Sequence, residues 1–116
     1  MTDRAGKFRV YRERMNERIL ERGTLVTKRF FNLDSRCYEE GALDVRTKEM
    51  LGLTASLVLR CDDCVAYHLI RCVEQDIPAA EIIEAMDVGL IVGGSIVIPH
   101  LRRAHELLDE LLEKDG

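Results

Sequence analysis

The chain has 116 residues and a formal net charge of -4, with 47% hydrophobic and 33% charged residues. That length fits one domain with a core of its own, and the mixture is that of a soluble globular protein rather than a disordered one. The acidic balance leaves no electrostatic footprint for a nucleic-acid binder, so no nucleic-acid partner is expected.

Phe8, Tyr11, Met15 and Ile19 recur at three and four residues among charges, which predicts an amphipathic helix ending near Gly23. Its basic stretch, "RAGKFRVYRERMNER", carries acids of its own and reads as a solvated helix face. The opening "MTDRAGKFRV" lacks the apolar core of a secretory signal. A shorter helix is expected within "LVTKRFFNLDSRCYEEGAL", broken at Gly41. Asp44 can cap the next, "VRTKEMLGLTASLVLR", whose later half is apolar on most sides and therefore central. Another helix starts at Cys61 or Asp62 and runs to about Gln75. "DIPAAEIIEAM" opens a short helix with Pro78 in its first turn, where a missing N–H costs little. Asp87 is the expected cap of a last long helix reaching about Glu113, with Pro99 tolerated as a kink.

The longest apolar run, "VGLIVGGSIVIP", is well short of the roughly 20 residues that span a bilayer, so no membrane association is expected and the cytoplasm is the default compartment. The glycines of "GLIVGG" have neither the lysine nor the strand of a phosphate loop and read as sites of close helix packing. No segment alternates apolar and polar residues between hairpin turns, and there is no repeat or linker. The expected fold is all-α, one domain over 1–116 with its core at about 20–110. Two nearly all-apolar helical segments, "MLGLTASLVL" and "VGLIVGGSIVI", exceed what a domain of this size covers by itself, which predicts a homo-oligomer.

Function turns on "LRCDDCVAYHLIRCVEQ". On a helix, Cys61, Cys64, His68 and Cys72 step by three, four and four residues and share one face. Cys61 and Cys72 would then stand about 16 Å apart along the axis, so one straight helix cannot supply all the ligands of a tetrahedral zinc. A partial site from Cys61, Cys64 and a distant ligand stays open. Cysteines three apart at a helix start suit a reversible disulfide, because their sulfurs can meet and the helix N-terminus favours the nucleophilic thiolate. His68, one turn beyond Cys64, can take or return its proton. Asp62 and Asp63 work against a thiolate, and Arg60 offsets them in part. The plain alternative is two structural cysteines beside a satisfied core histidine. Glu49 lies on the preceding helix; if the two helices pack antiparallel, it comes within about one turn of His68 in height and would orient the imidazole. Cys37 and Cys72 read as small buried residues. His100 and His105, five apart, do not share a helix face and read as surface or interface residues.

The segment "GALDVRTKEMLGLTASLVLRCDDCVAYHLIRCVEQDIPAAEIIEAM" resembles the carboxymuconolactone decarboxylase and alkylhydroperoxidase AhpD-like family. That family's signature is a glutamate, then CxxC, then a histidine four residues after the second cysteine. Glu49, Cys61, Cys64 and His68 fit it, and Gly41, Leu43, Asp44 and Lys48 look like its lead-in. The resemblance implies a helical bundle assembling into trimers or hexamers, and a thiol-dependent peroxidase or disulfide oxidoreductase. Cys64 would be the nucleophile that passes through a sulfenic acid, Cys61 the partner that closes the disulfide, and His68 with Glu49 a proton relay. Electrons would come from a protein or dithiol donor through the cysteines themselves, with no separate cofactor and no metal. The AhpD branch also has a histidine just before the second cysteine, where this chain has Asp63. The decarboxylase branch generally lacks the CxxC; its lyase chemistry, with His68 as general acid-base, is the alternative, as is a non-enzymatic oligomer with a thiol or zinc switch.

Overall fold

Side-chain caps set three of the helix starts among the described residues. The computed structural model describes residues 3–115, so Met1, Thr2 and Gly116, the ends of the expected 1–116 domain, lie outside the described residues. Helix α1 (Arg4–Arg22) opens at Asp3, whose carboxylate accepts from the Gly6 N–H at 3.0 Å. Glu110, far along the chain, accepts from the N–H groups of Arg4 and Ala5 at 2.9 and 3.0 Å. Those donors have no partner inside the helix, and a carboxylate there also complements the helix dipole. The helix stops at Gly23, as the periodicity predicts, with the Gly23 N–H on the Ile19 carbonyl. Helix α2 (Leu25–Cys37) buries none of its residues. Asp44 caps α3 (Val45–Val58), accepting from the Thr47 N–H at 2.8 Å. Cys61 is the N-cap of α4 (Asp62–Glu74).

The end of the chain departs from expectation. Asp87 caps nothing: α5 (Ala79–Gly93) runs straight through it. The break comes at Gly94, at φ 83°, a left-handed conformation that a side chain makes costly. A 3-10 turn over Ser95–Val97 follows, and α6 (Ile98–Asp115) begins with Pro99 in its first turn, where its missing N–H breaks no bond and makes no kink. Gly93 serves the expected close approach, since a Cβ there would collide with the Val97 side chain; one at Gly94 would meet open space. The two glycines therefore do different work.

Helix α3 is the centre. Leu53 and Leu57 on it are fully buried, with Leu69, Ile82, Met86 and Val97 around them. Burying each such side chain contributes about 1.5–3 kcal/mol. Helices α3 and α4 form an antiparallel hairpin, with Glu49 beside His68 and Arg71 at one end and the Ser56 carbonyl accepting from the Cys61 N–H at the other. Helix α5 reaches α3 through Gly89, where a Cβ would stand 3.1 Å from the Thr54 carbonyl, and Thr54 Oγ1 donates to the Ala85 carbonyl at 2.9 Å. Helix α6 closes on α4 and receives α1, burying Ala5, Ala104, Leu107, Leu108 and Leu111. Among the described residues there is no strand, and no helix is long and apolar enough to cross a membrane. The fold is one all-helical domain.

Candidate active site

The α3–α4 hairpin brings the four expected residues together. Cys61 and Cys64 are joined as a disulfide, their Cα atoms 5.2 Å apart, and Cys61 Sγ accepts from the Cys64 N–H at 3.3 Å. The pair sits at the first turn of α4, at the positive end of the helix dipole. One turn on, His68 Nδ1 lies 2.9 Å from Glu49 Oε1. A carboxylate can only accept, so Nδ1 carries the hydrogen and Nε2 is left as the exchangeable nitrogen. Both residues are buried, Glu49 at 1% and His68 at 7% exposure.

A buried carboxylate needs more than one partner. Arg71, one turn beyond His68 on α4, places Nε 3.3 Å from Glu49 Oε2 and NH1 3.0 Å from Glu74. Burial works against the guanidinium's charge, but the hydrogen bonds to Glu74 and Glu49 outweigh it and raise its pKa. Tyr38, arriving from the end of α2, sets its hydroxyl 3.4 Å from His68 Nε2. Tyr67 meets the imidazole edge-on. Gly52, one turn after Glu49, leaves the space the ring occupies: a Cβ there would lie 2.6 Å from His68 Cε1.

In front of this assembly lies a cavity of about 470 Å³, lined by Phe8, Tyr11, Met15 and Ile19 of α1 and by Asp63, Cys64, Tyr67 and His68 of α4. Arg12, also on its wall, stacks its guanidinium 4.1 Å from the centre of the Tyr67 ring. Cys64 is exposed, so its sulfur and the imidazole edge share one apolar-walled opening.

The two aspartates of the CxxC have separate fates. Asp62 turns to α6, where His100 Nδ1 and Arg103 Nε reach it at 2.8 and 2.9 Å. Partial burial would raise its pKa, but these hydrogen bonds dominate and lower it. The side chains that answer Asp62 are therefore His100 and Arg103 rather than Arg60, which sits at positive φ in the preceding turn. Asp63 stays exposed and lines the cavity beside Cys64. Cys72 is fully buried, as expected, but Cys37 is exposed, because α2 contributes nothing to the core. Among the described residues no group of three His, Cys, Asp or Glu side chains is placed to hold a metal ion.

Arg71, Gly52 and Tyr38 were not legible as site residues. Arg71 follows His68, and Gly52 follows Glu49, by three positions, so helical periodicity could have placed both on the site's faces. Tyr38 carries no such signal, since its position depends on how the turn after α2 meets α3.

An all-helical domain with a CxxC at a helix start and a glutamate-held histidine one turn on defines a specific class of protein. The chain belongs to the carboxymuconolactone decarboxylase family, whose sequence profile matches residues 24–106. Two crystal structures of a Thermotoga maritima protein are similar throughout. One, described as a family member with a suggested part in the antioxidative response, is 60% identical, covers 94% of this chain and 92% of its own, and has a TM-score of 0.91. The other is 62% identical over 95% of this chain and 98% of its own, again at 0.91. The apo structure of a Legionella pneumophila family member shares the fold at 21% identity and a TM-score of 0.80, covering 97% of each chain. An uncharacterized protein of the Paracoccus denitrificans cox locus is 26% identical over 89 residues, 77% of this chain and 80% of that one.

Proposed function

We propose that the protein is a thiol-dependent peroxidase or disulfide oxidoreductase working through Cys61 and Cys64. One observation carries this: Cys64 and His68 line the same apolar-walled cavity, with Glu49 holding the imidazole from behind. The antioxidative description of the Thermotoga maritima relative supports it. In the reduced state the Cys64 thiol gives its proton to His68 and the thiolate attacks the O–O bond of a hydroperoxide. Cys64 is oxidised to the sulfenic acid and the substrate leaves as an alcohol, its alkoxide taking a proton from the imidazolium. The Cys61 thiol then attacks the sulfenic sulfur, releasing water and forming the disulfide. A dithiol or protein-thiol donor restores both thiols and is itself oxidised to a disulfide. Reducing conditions of this kind belong to the cytoplasm, where we place the protein. No separate cofactor or metal enters the cycle.

The test is a thiol count on the reduced protein before and after one equivalent of organic hydroperoxide. Wild type is expected to lose two thiols with release of alcohol, while Cys64→Ser loses none through this pathway. Unchanged thiols in the wild type would overturn the proposal. Lyase activity on a carboxylated lactone that survives in Cys61→Ser/Cys64→Ser but not in His68→Ala would replace it with the decarboxylase chemistry of the family name.

A further inference from the structure

We propose that Tyr38 is a positioning residue of this site: its hydroxyl holds the Nε2 side of His68 and partners the proton that Nε2 takes up when Cys64 ionises. The purpose of this device rests on the thiol-redox reading above; its test does not. With Nδ1 committed to Glu49, Nε2 is the nitrogen that exchanges a proton, and the phenol oxygen stands 3.4 Å from it. The two ring centroids are 5.3 Å apart. A hydroxyl can act in both directions. Toward the neutral imidazole it donates to the Nε2 lone pair. Toward the imidazolium it turns and accepts from Nε2–H, so that the new donor is not left unpaired in a buried place. The Glu49 carboxylate, which only accepts, cannot make that exchange.

The way the chain holds Tyr38 argues for a purpose beyond filling space. It is the C-cap of α2, a helix with no buried residue, so the packing of α2 does not place it. Lys48, next to Glu49 on α3, donates to the carbonyls of Cys37 and Glu39 at 2.9 and 2.6 Å, the residues on either side of Tyr38. One helix thus holds both the carboxylate behind the imidazole and the backbone that presents the phenol to it. Gly52 of the same helix gives the ring the space it needs, since a Cβ would lie 2.7 Å from Nε2. Burial, with the carboxylates of Asp34 and Glu49 nearby, raises the phenol's pKa above its ordinary value, so the hydroxyl keeps its proton where thiols ionise.

Tyr38→Phe keeps the ring and removes only the hydroxyl, which separates this role from simple anchoring of the turn. The experiment alkylates the reduced protein with iodoacetamide across about pH 5 to 9, a range bracketing thiol ionisation, and follows the Cys64 peptide by mass spectrometry. We expect Tyr38→Phe to keep the wild-type circular dichroism and melting temperature. Its pH of half-maximal Cys64 reactivity should rise, and its rate at neutral pH should fall severalfold, because the hydrogen bond lost to the imidazolium is about twice as strong as the one lost to the neutral ring. Lys48→Met, which keeps the phenol but releases its backbone, should move the profile the same way by less. A folded Tyr38→Phe with the wild-type profile overturns the proposal; if that variant does not fold, a folded Lys48→Met with an unmoved profile does so. Alkylation involves no peroxide, so a protein without peroxidase activity still answers this question. Unchanged thiols after hydroperoxide would sink the earlier reading alone.

Discussion

Cys64 and Cys72 lie eight residues apart on one helix and have opposite environments. Cys64 is exposed at the helix start, whereas Cys72 has no accessible surface, and burial, with Glu49 nearby, pushes its thiol pKa up to about 12. A thiol that stays protonated is neither nucleophile nor metal ligand. In the reduced native protein at about pH 8, near the ordinary thiol pKa, iodoacetamide should label Cys37 and Cys64 and leave Cys72 untouched. Denaturant should then release Cys72 for labelling. The sign of the linkage follows from the same shift: stability held by the protonated Cys72 is complete below its unfolded pKa and declines as pH rises toward the folded value. Rapid labelling of Cys72 in folded protein would contradict its place in the core. Its place on the CxxC face and its burial were both legible in the sequence; the exposure of Cys37 was not.

Between elements, the contact of α4 with α6 has a polar half as well as an apolar one. Asp62 bridges them through His100 and Arg103, and those partners hold its pKa below the ordinary value despite partial burial. A carboxylate lowered in this way contributes stability above its unfolded pKa of about 4 and loses it as pH falls through the folded value. The side chain is 39% exposed, so solvent screening limits the contribution to about 1 kcal/mol or less. Asp62→Asn should therefore be less stable than wild type by up to about that amount at neutral pH, and by less at about pH 3, below the unfolded pKa. Urea midpoints at the two pH values measure this, and an equal loss at both would show that shape, not charge, is what Asp62 supplies. The sequence placed His100 on a surface or interface. Its partner is the first turn of α4, a contact that depends on how α6 folds back after Gly94.

Taken as one body, the chain leaves apolar surface uncovered. Ile91 is 83% exposed, Val26 76%, Leu59 75% and Val92 69%. The Cα radius of gyration is 14.7 Å, against about 13 Å for a compact chain of this length. Large apolar side chains left this open favour association, and we propose a homo-oligomer, a trimer or a hexamer by the family resemblance. Light scattering at low micromolar concentration should find that assembly, and Ile91→Glu should weaken it. A stable folded species of 13.3 kDa would refute the idea. Gly94, in the same apolar run, is unsuited to such a test, because any side chain there strains a left-handed backbone before it meets a partner.

Helix identity, most helix ends and the alignment of Cys61, Cys64 and His68 on one face were determined by the sequence alone, because capping and 3.6-residue periodicity act within a few positions of the chain. Glu49 could be added by arithmetic, since a short turn between two helices leaves their heights predictable. The tertiary structure decided the rest. It chose Gly94 over Asp87 as the end of α5, since a left-handed glycine ends a helix while an exposed aspartate inside one need not. It set Asp62 against His100 and Arg103 while leaving Asp63 beside Cys64. It also brought Tyr38 to the imidazole from another helix. Each of these depends on where two distant segments meet, and contacts of that kind are set by the packing of the whole core rather than by neighbours in the chain.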